Sequence, residues 1–400
     1  MPWKETCVMD QRMSFIAACL EGDESIAALC RHFAISRKTG HKWLSRYRAE
    51  GAGGLVERSR APHSNARALA EEVATAVVSV RHRYPSWGPR KVKAWLEDRY
   101  PERVWPAAST IGELFDRAGL TRPRKRRRRM APQSAPLAAC RAPNDVWCAD
   151  FKGWFLTGDG THVEPFTVSD GDSRFLIRCE AVGRADEGHV WPILAAAFHE
   201  YGLPRVLRSD NGPPFASLAA AGLSRFAVKL IKAGVMPDRI APGKPQQNGR
   251  HERLHLTLKQ DTAAPPAHSL AEQIDRFERF RHVYNVERPH EALGQVPPAR
   301  LYEPSPRLFD GVLRSPDYPD QAQVRRVRRC GAVKWRGDEI FISQALAGEP
   351  VGLFPIADNV WLVKYGPVVL GTMKGREGFI RIGPGRPSRP NPLPNKPRNL

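Results

Sequence analysis

Three carboxylates far apart in the chain stand where side chains tend to meet. Asp150 closes an apolar, strand-like run. Asp210 follows a second such run and opens an Asp-Asn-Gly turn, and Glu252 lies one turn into a helical stretch. In an α/β layer, strand ends and helix starts converge on one rim of the sheet, and that rim is where such folds carry their chemistry. Three oxygen donors gathered there can hold two Mg²⁺ ions, hard cations that keep several waters and need few protein ligands. Two such ions activate an attacking hydroxyl and stabilise the leaving oxygen of an in-line phosphoryl transfer, the reaction that cuts and joins DNA strands. Taken singly, each carboxylate has a plainer reading as a cap, a turn residue or a solvated helix position.

Glu252 also belongs to a rival motif. His251-Glu252-Arg253-Leu254-His255 fits H-E-x-x-H, in which two histidines on one helix face share a zinc ion and the glutamate acts as base. Glu272 or Asp275 would then supply a third ligand. That reading, a zinc metallopeptidase, leaves Asp150, Asp210 and the charge of the chain without a role.

The charge is large and unevenly placed. The 400 residues carry a formal net charge of +20, which points to a polyanionic partner, nucleic acid ahead of membrane. Residues 1–143 hold 27 Lys+Arg against 14 Asp+Glu, residues 144–303 hold 19 against 20, and residues 304–400 hold 16 against 8. A near-neutral middle between basic arms fits a chemical core flanked by segments that grip DNA. The seven cysteines form no C-x-x-C pair, so their pattern suits a reducing compartment. No apolar stretch is long enough to span a bilayer. A cytoplasmic, nucleoid-associated protein of a bacterium is expected, with no membrane partner.

Several kinds of element must position the carboxylates. Residues 1–60 predict three helices, the third capped by Ser36 and presenting Arg37, Lys38, His41 and Lys42 outward, as a helix entering a major groove does. Residues 61–121 predict a second helix-turn-helix-like module, with Arg90 and Lys91 as phosphate contacts. Residues 122–143 form a linker opened by "RPRKRRRR", whose Arg126 and Arg127 grip phosphate without reading sequence. Residues 144–303 alternate strand and helix, with helical patterns over 187–201, 222–234, 246–260 and 269–285. Residues 304–372 predict a small DNA-binding β-barrel of about five strands, and residues 373–400 a disordered basic tail.

The motifs around the carboxylates carry a resemblance. "WCADFKGWF" at Asp150, "SDNGPPF" at Asp210 and "PGKPQQNGRHERLHLTLK" at Glu252 resemble the DDE motifs of bacterial insertion-sequence transposases, which share the catalytic core of retroviral integrases. "TVSDGDSRFL", "YNVERPHEALGQVPPARLY" and "YPSWGPRKV" are similar to the family's connecting segments. The resemblance runs from about residue 10 to residue 303 and more loosely beyond. It implies a multidomain chain: all-α helix-turn-helix modules, a central α/β ribonuclease-H-like integrase core, and the C-terminal barrel. It further implies that Asp150, Asp210 and Glu252 ligate two Mg²⁺ ions, with Mn²⁺ able to substitute, for cleavage at transposon ends and strand transfer without a covalent protein–DNA intermediate. The partners so implied are double-stranded DNA, as terminal inverted repeats and target, and further copies of the chain, since two DNA ends must be held together.

Two departures from the family pattern stand out. Asp210 and Glu252 are separated by 41 residues, more than is usual, with the surplus placed near "ASLAAAGLSR". The His/Cys zinc domain of retroviral integrases is replaced by helix-turn-helix modules. Lys152, Lys244 and Asn248 are expected to position DNA beside the carboxylates, whereas Asp170 reads as structural. The competing function is a transposase-derived regulator that binds DNA without cutting it.

Overall fold

Residues 7–58, 69–121, 140–217, 219–240, 249–375 and 378–382 are described by a computed structural model. The chain divides into two units, Met1–Leu69 and Ala70–Leu400.

The first unit is built on three helices, α1 (Val8–Glu21), α2 (Ile26–His32) and α3 (Arg37–Glu50). Apolar residues at helical spacing close one core of Phe15, Ile16, Leu29, Cys30, Trp43, Leu44 and Leu55. Gly40 is what lets α3 come so near: a Cβ there would strike Cys30 Sγ and lie 3.0 Å from Phe15 Cζ. Ser25 and Ser36 cap α2 and α3 by accepting from the Ala28 and Thr39 N–H groups.

The second unit begins with α4 (Glu71–Arg83), α5 (Pro89–Arg99) and α6 (Ala108–Arg117). Val77, Val80, Tyr84, Trp87, Val92, Trp95, Leu96, Ile111 and Phe115 form their core, with the Tyr84 and Trp87 rings stacked at 3.9 Å. Although these helices have a core of their own, they belong to the same compact unit as the sheet that follows.

That sheet is mixed. Its strands are β1 (Val146–Phe151), β2 (Phe155–Leu156), β3 (His162–Asp170), β4 (Leu176–Val182), β5 (Val206–Ser209) and β6 (Met236–Arg239). The hydrogen-bonded path is β2-β3-β1-β5-β6, with β4 also paired to β3. β3 runs antiparallel to β1, β2 and β4, while β1–β5 and β5–β6 are parallel. Strand alternation sends Trp147, Ala149, Phe166 and Val168 to one face, against α7 (Glu187–Tyr201) and α8 (Arg225–Lys232). Val163, Leu176 and Cys179 pack on the other face with Leu254 and Leu258 of α9 (Gly249–Thr262) and Phe277 and Phe280 of α10 (Leu270–His282). The helix expected over 187–201 has those bounds.

The C-terminal region has strands β7 (Gln323–Arg326), β8 (Ala332–Trp335), β9 (Asp338–Phe341), β10 (Pro350–Ala357), β11 (Val360–Tyr365), β12 (Val368–Lys374) and β13 (Gly378–Arg381). They form an open five-stranded sheet, β13-β12-β11-β10-β7, and a separate β8–β9 ribbon. The expected barrel is therefore not closed among the described residues. Closure requires the two edge strands to pair, and β7 and β13 instead end the path. Strand structure also continues to Arg381, past the boundary expected at residue 372. The segment in which the surplus before Glu252 was expected packs here: Ala220 and Leu223 join Ala227, Val228 and Ile231 of α8 in the core beneath this sheet, and the Ala221 N–H donates to the Ile382 carbonyl.

Candidate active site

The parallel pair β1–β5 sets the geometry of the first two carboxylates. Val146, Trp147 and Cys148 are in register with Val206, Leu207 and Arg208. Asp150 and Asp210 each lie two residues past the last of these pairs, so they stand at the same level on neighbouring chains, Asp150 still paired to β3 and Asp210 just past the end of β5. Asp150 Oδ1 accepts from the Phe151 N–H at 2.9 Å, and Asp210 Oδ1 accepts from the Gly212 N–H at 3.1 Å. The Asp-Asn-Gly turn is completed by Asn211 Nδ2 donating to the Ile240 carbonyl at 2.9 Å. Gly212 leaves space over the carboxylate, since a Cβ there would lie 3.0 Å from Asp210 Oδ2.

Glu252 is exposed in the first turn of α9, between two histidines that are not. His251 and His255 are 2% and 6% exposed, with ring centroids 5.3 Å apart. Both reach Thr167 on β3, the residue in register with Asp150. His255 Nε2 lies 2.8 Å from Thr167 Oγ1, and the His251 ring bonds the Thr167 backbone. His255 Nδ1 comes within 3.9 Å of Asp150 Oδ2. Burial pushes His251 down to about 4, and burial with the neighbouring His251 and Lys152 pushes His255 down to about 3, so both are neutral at pH 7.

This arrangement removes the zinc reading. The two imidazoles point into the helix–sheet interface, Glu252 faces outward, and Glu272, a suggested third ligand, is engaged by the His268 N–H and by Arg276. His251 is also too deeply buried to touch phosphate.

Profiles of the integrase core domain match residues 141–245 and 233–298, so all three carboxylates fall within them. A helix-turn-helix profile matches residues 11–63 and a homeodomain-like profile residues 39–115. With helix-turn-helix segments ahead of an integrase core, the chain is similar to the DDE-type transposases of insertion elements. It is 27% identical over 281 residues to the 39.2 kDa protein of insertion element IS476 from Xanthomonas euvesicatoria, covering 70% of this chain and 78% of that one. To the 31.7 kDa protein of IS407 from Burkholderia multivorans it is 29% identical over 233 residues, covering 58% and 80%. Among solved structures it is similar to a simian T-cell lymphotropic virus intasome in complex with a PP2A regulatory subunit. That likeness has 15% identity and a TM-score of 0.37, and covers 77% of this chain and 99% of that one.

Asp150, Asp210 and Glu252 would offer a metal oxygen donors, which suit a hard divalent cation such as Mg²⁺. Among the described residues, however, no group of three or more His, Cys, Asp or Glu is close enough to hold a metal ion. The donor chemistry of the three carboxylates fits such a cation, although they are not gathered into one group of that kind. Asp170, by contrast, is a buried brace. It accepts from the Asn144 and Ser173 N–H groups, each at 2.8 Å, and from Ser173 Oγ at 2.7 Å, tying the β3–β4 turn to the start of β1.

The expected DNA contacts fare differently. Arg37, Lys38, His41 and Lys42 are all exposed on α3 of the first unit. Lys152 is half-buried beside Asp150, its N–H donating to the Pro165 carbonyl. Arg126, Arg127, Lys244 and Asn248 lie outside the described residues. Arg90 is exposed and pairs with Glu291 at 3.1 Å, a surface pair weak enough to be exchanged for phosphate. Lys91 differs from the expectation: its amine turns inward and donates to the Pro289 carbonyl, and burial, with Arg288 nearby, lowers it to about 8. A basic face on a helix looks the same in sequence whether it meets phosphate or its own core.

Lys91 is part of a larger docking surface that sequence reasoning missed. Tyr84 and Arg83 of the α4 end bond Glu287. Ser86 donates to Asp261 of α9 at 3.3 Å, and Arg300 pairs with Asp98 at 2.7 Å. Arg288, half-buried, also reaches Asp261 at 3.6 Å. The helical module is thus bound to the far end of the helix that carries Glu252.

Proposed function

We propose that this chain is a divalent-metal-dependent transposase that binds the terminal inverted repeats of its insertion element and carries out strand cleavage and strand transfer. The observation that carries the reading is the common level of Asp150 and Asp210 on adjacent parallel strands, with the helix bearing Glu252 fastened to the residue paired with Asp150. Asp150, Asp210 and Glu252 would hold Mg²⁺, which supplies activation of the attacking hydroxyl and charge neutralisation at the leaving oxygen. Backbone N–H groups orient the Asp150 and Asp210 carboxylates, and the buried histidines of α9 pack beside Asp150. Arg37, Lys38, His41 and Lys42 would read the repeat, Arg126 and Arg127 would add sequence-independent grip, and Lys152, Lys244, Asn248 and Arg90 would steady the strand. The active species would be a homo-oligomer on DNA. Among the described residues no helix is long and apolar enough to cross a membrane, and a cytoplasmic, nucleoid-associated site of action follows from the proposed substrate.

A second reading, a regulator that binds DNA without cutting, is favoured by the lack, among the described residues, of a gathered group of three or more potential metal ligands. One experiment separates the two. Purified protein is incubated with an end-labelled terminal repeat and Mg²⁺, beside Asp210→Asn and an EDTA control. Nicking at the repeat end that both controls abolish supports the transposase. A shifted complex with intact strands supports the regulator.

A further inference from the structure

We infer that His251, His255 and Thr167 form a helix-to-strand clasp that sets the height of Glu252 against Asp150, so that the H-x-x-x-H spacing around the glutamate is a positioning device for the carboxylate site. The inference rests on the carboxylate reading above and assigns work to residues that take no part in the proposed chemistry.

The argument begins with the Thr167 hydroxyl. It reaches the Asp150 carbonyl oxygen at 3.3 Å. The hydroxyl also meets His255 Nε2 at 2.8 Å, so one strand side chain is joined both to the Asp150 backbone and to α9, whichever of the two atoms carries the proton. The other ring nitrogen, Nδ1, lies 3.9 Å from Asp150 Oδ2. The ring thus holds the helix to the strand beside the first carboxylate. One turn earlier, His251 fastens the same helix to the backbone of the same threonine, at the cost of a buried Nε2 with no partner.

Two bonds to a single strand residue, one helical turn apart, fix both the rotation and the axial position of α9. Glu252 is adjacent to His251 and three positions before His255, so its Cα is carried with them. An apolar pair at these positions would bury as well but would permit sliding, because dispersion contacts are not directional. Thr167 is in register with Asp150, so the strand position that receives the helix is the one beside the first carboxylate.

The test measures Mn²⁺ affinity by electron paramagnetic resonance titration of the full chain without DNA, at a temperature well below the metal-free unfolding midpoint of every protein used. The proteins are wild type, Thr167→Val, His255→Leu, the conservative Thr167→Ser and His255→Asn, and Asp150→Asn. Thr167→Val and His255→Leu should weaken Mn²⁺ binding tenfold or more, and Thr167→Ser and His255→Asn should bring it back to within about threefold of wild type. A pair that served stability alone would lower the midpoint and leave the affinity of the still-folded protein unchanged, which overturns the clasp while Asp150→Asn still loses binding. If His255→Leu does not fold, Thr167→Val, which keeps the volume, carries the comparison. Wild-type binding that is absent or indifferent to Asp150→Asn overturns the carboxylate reading and the clasp together.

Discussion

His290 gives the docked helical module an acid sensitivity whose size can be worked out. The ring lies edge-to-face on Tyr284 at 4.6 Å, and Nε2 bonds the Tyr284 carbonyl at 3.2 Å. Burial, together with the nearby Lys91, Arg288 and Arg174 charges, lowers it from 6.5 to about 3. A group with a lowered folded-state pKa binds its proton more readily in the unfolded chain. Its contribution is complete above pH 6.5 and is lost as pH falls toward about 3. Going from pH 6.5 to 5 then costs about 2 kcal/mol, at about 1.4 kcal/mol per pH unit. His290→Asn retains an amide donor for the Tyr284 carbonyl and cannot take up a proton. His251 and His255 lose stability over the same range, but they do so in both proteins and drop out of the difference. Urea unfolding at pH 7 and pH 5, followed by tryptophan emission, should show wild type losing about 2 kcal/mol more than His290→Asn. Parallel losses in the two proteins would refute the reasoning, because they would mean that His290 charges as easily in the fold as outside it.

Other perturbations reach different parts of the molecule. Lys38→Ala and Lys42→Ala should each weaken repeat binding and make log Kd less dependent on salt by roughly one unit of slope, as read by electrophoretic mobility shift at several salt concentrations. Trp87→Ala, which removes a 1% exposed ring stacked on Tyr84, should destabilise the second unit by about 3–5 kcal/mol in urea unfolding. Glu287→Ala strands the buried Tyr84 hydroxyl and should cost about 1–3 kcal/mol, with faster hydrogen exchange across α4 and α5. Asp170→Ala removes the acceptor for four donors, three on the β3–β4 turn and one on Asn144 just before β1, and it should impair folding, whereas Asp210→Asn should leave the unfolding midpoint close to wild type and abolish nicking.

The parts legible in the sequence were those with local signals. Asp150 and Asp210 could be placed because each ends an apolar run, and the observed β1 and β5 stop beside them. The helix 187–201 was legible from its apolar run and the Gly202 that follows it. What stayed hidden depends on contacts between distant segments. Thr167 reads as one polar residue in an alternating strand, and only the register with Asp150 and the crossing of α9 give it a role. Lys91 is indistinguishable in sequence from Arg90, yet one is turned inward and the other outward. Barrel closure turns on whether β7 and β13 pair, which the residues of neither strand announce.

The division at Leu69 bears on how such a chain diversifies. The exposed basic face of α3 stands on a three-helix body with its own core, whereas α4 and α5, with the turn between them, are tied to α9 and to residues 287–300 by ion pairs and hydrogen bonds. Residues 7–58 could therefore be remodelled around their own core, and under the proposed function this would change the DNA sequence that is read. The second helical module is less free to drift in that way, since a substitution at Tyr84 affects its side-chain partner Glu287 and one at Asp98 affects Arg300.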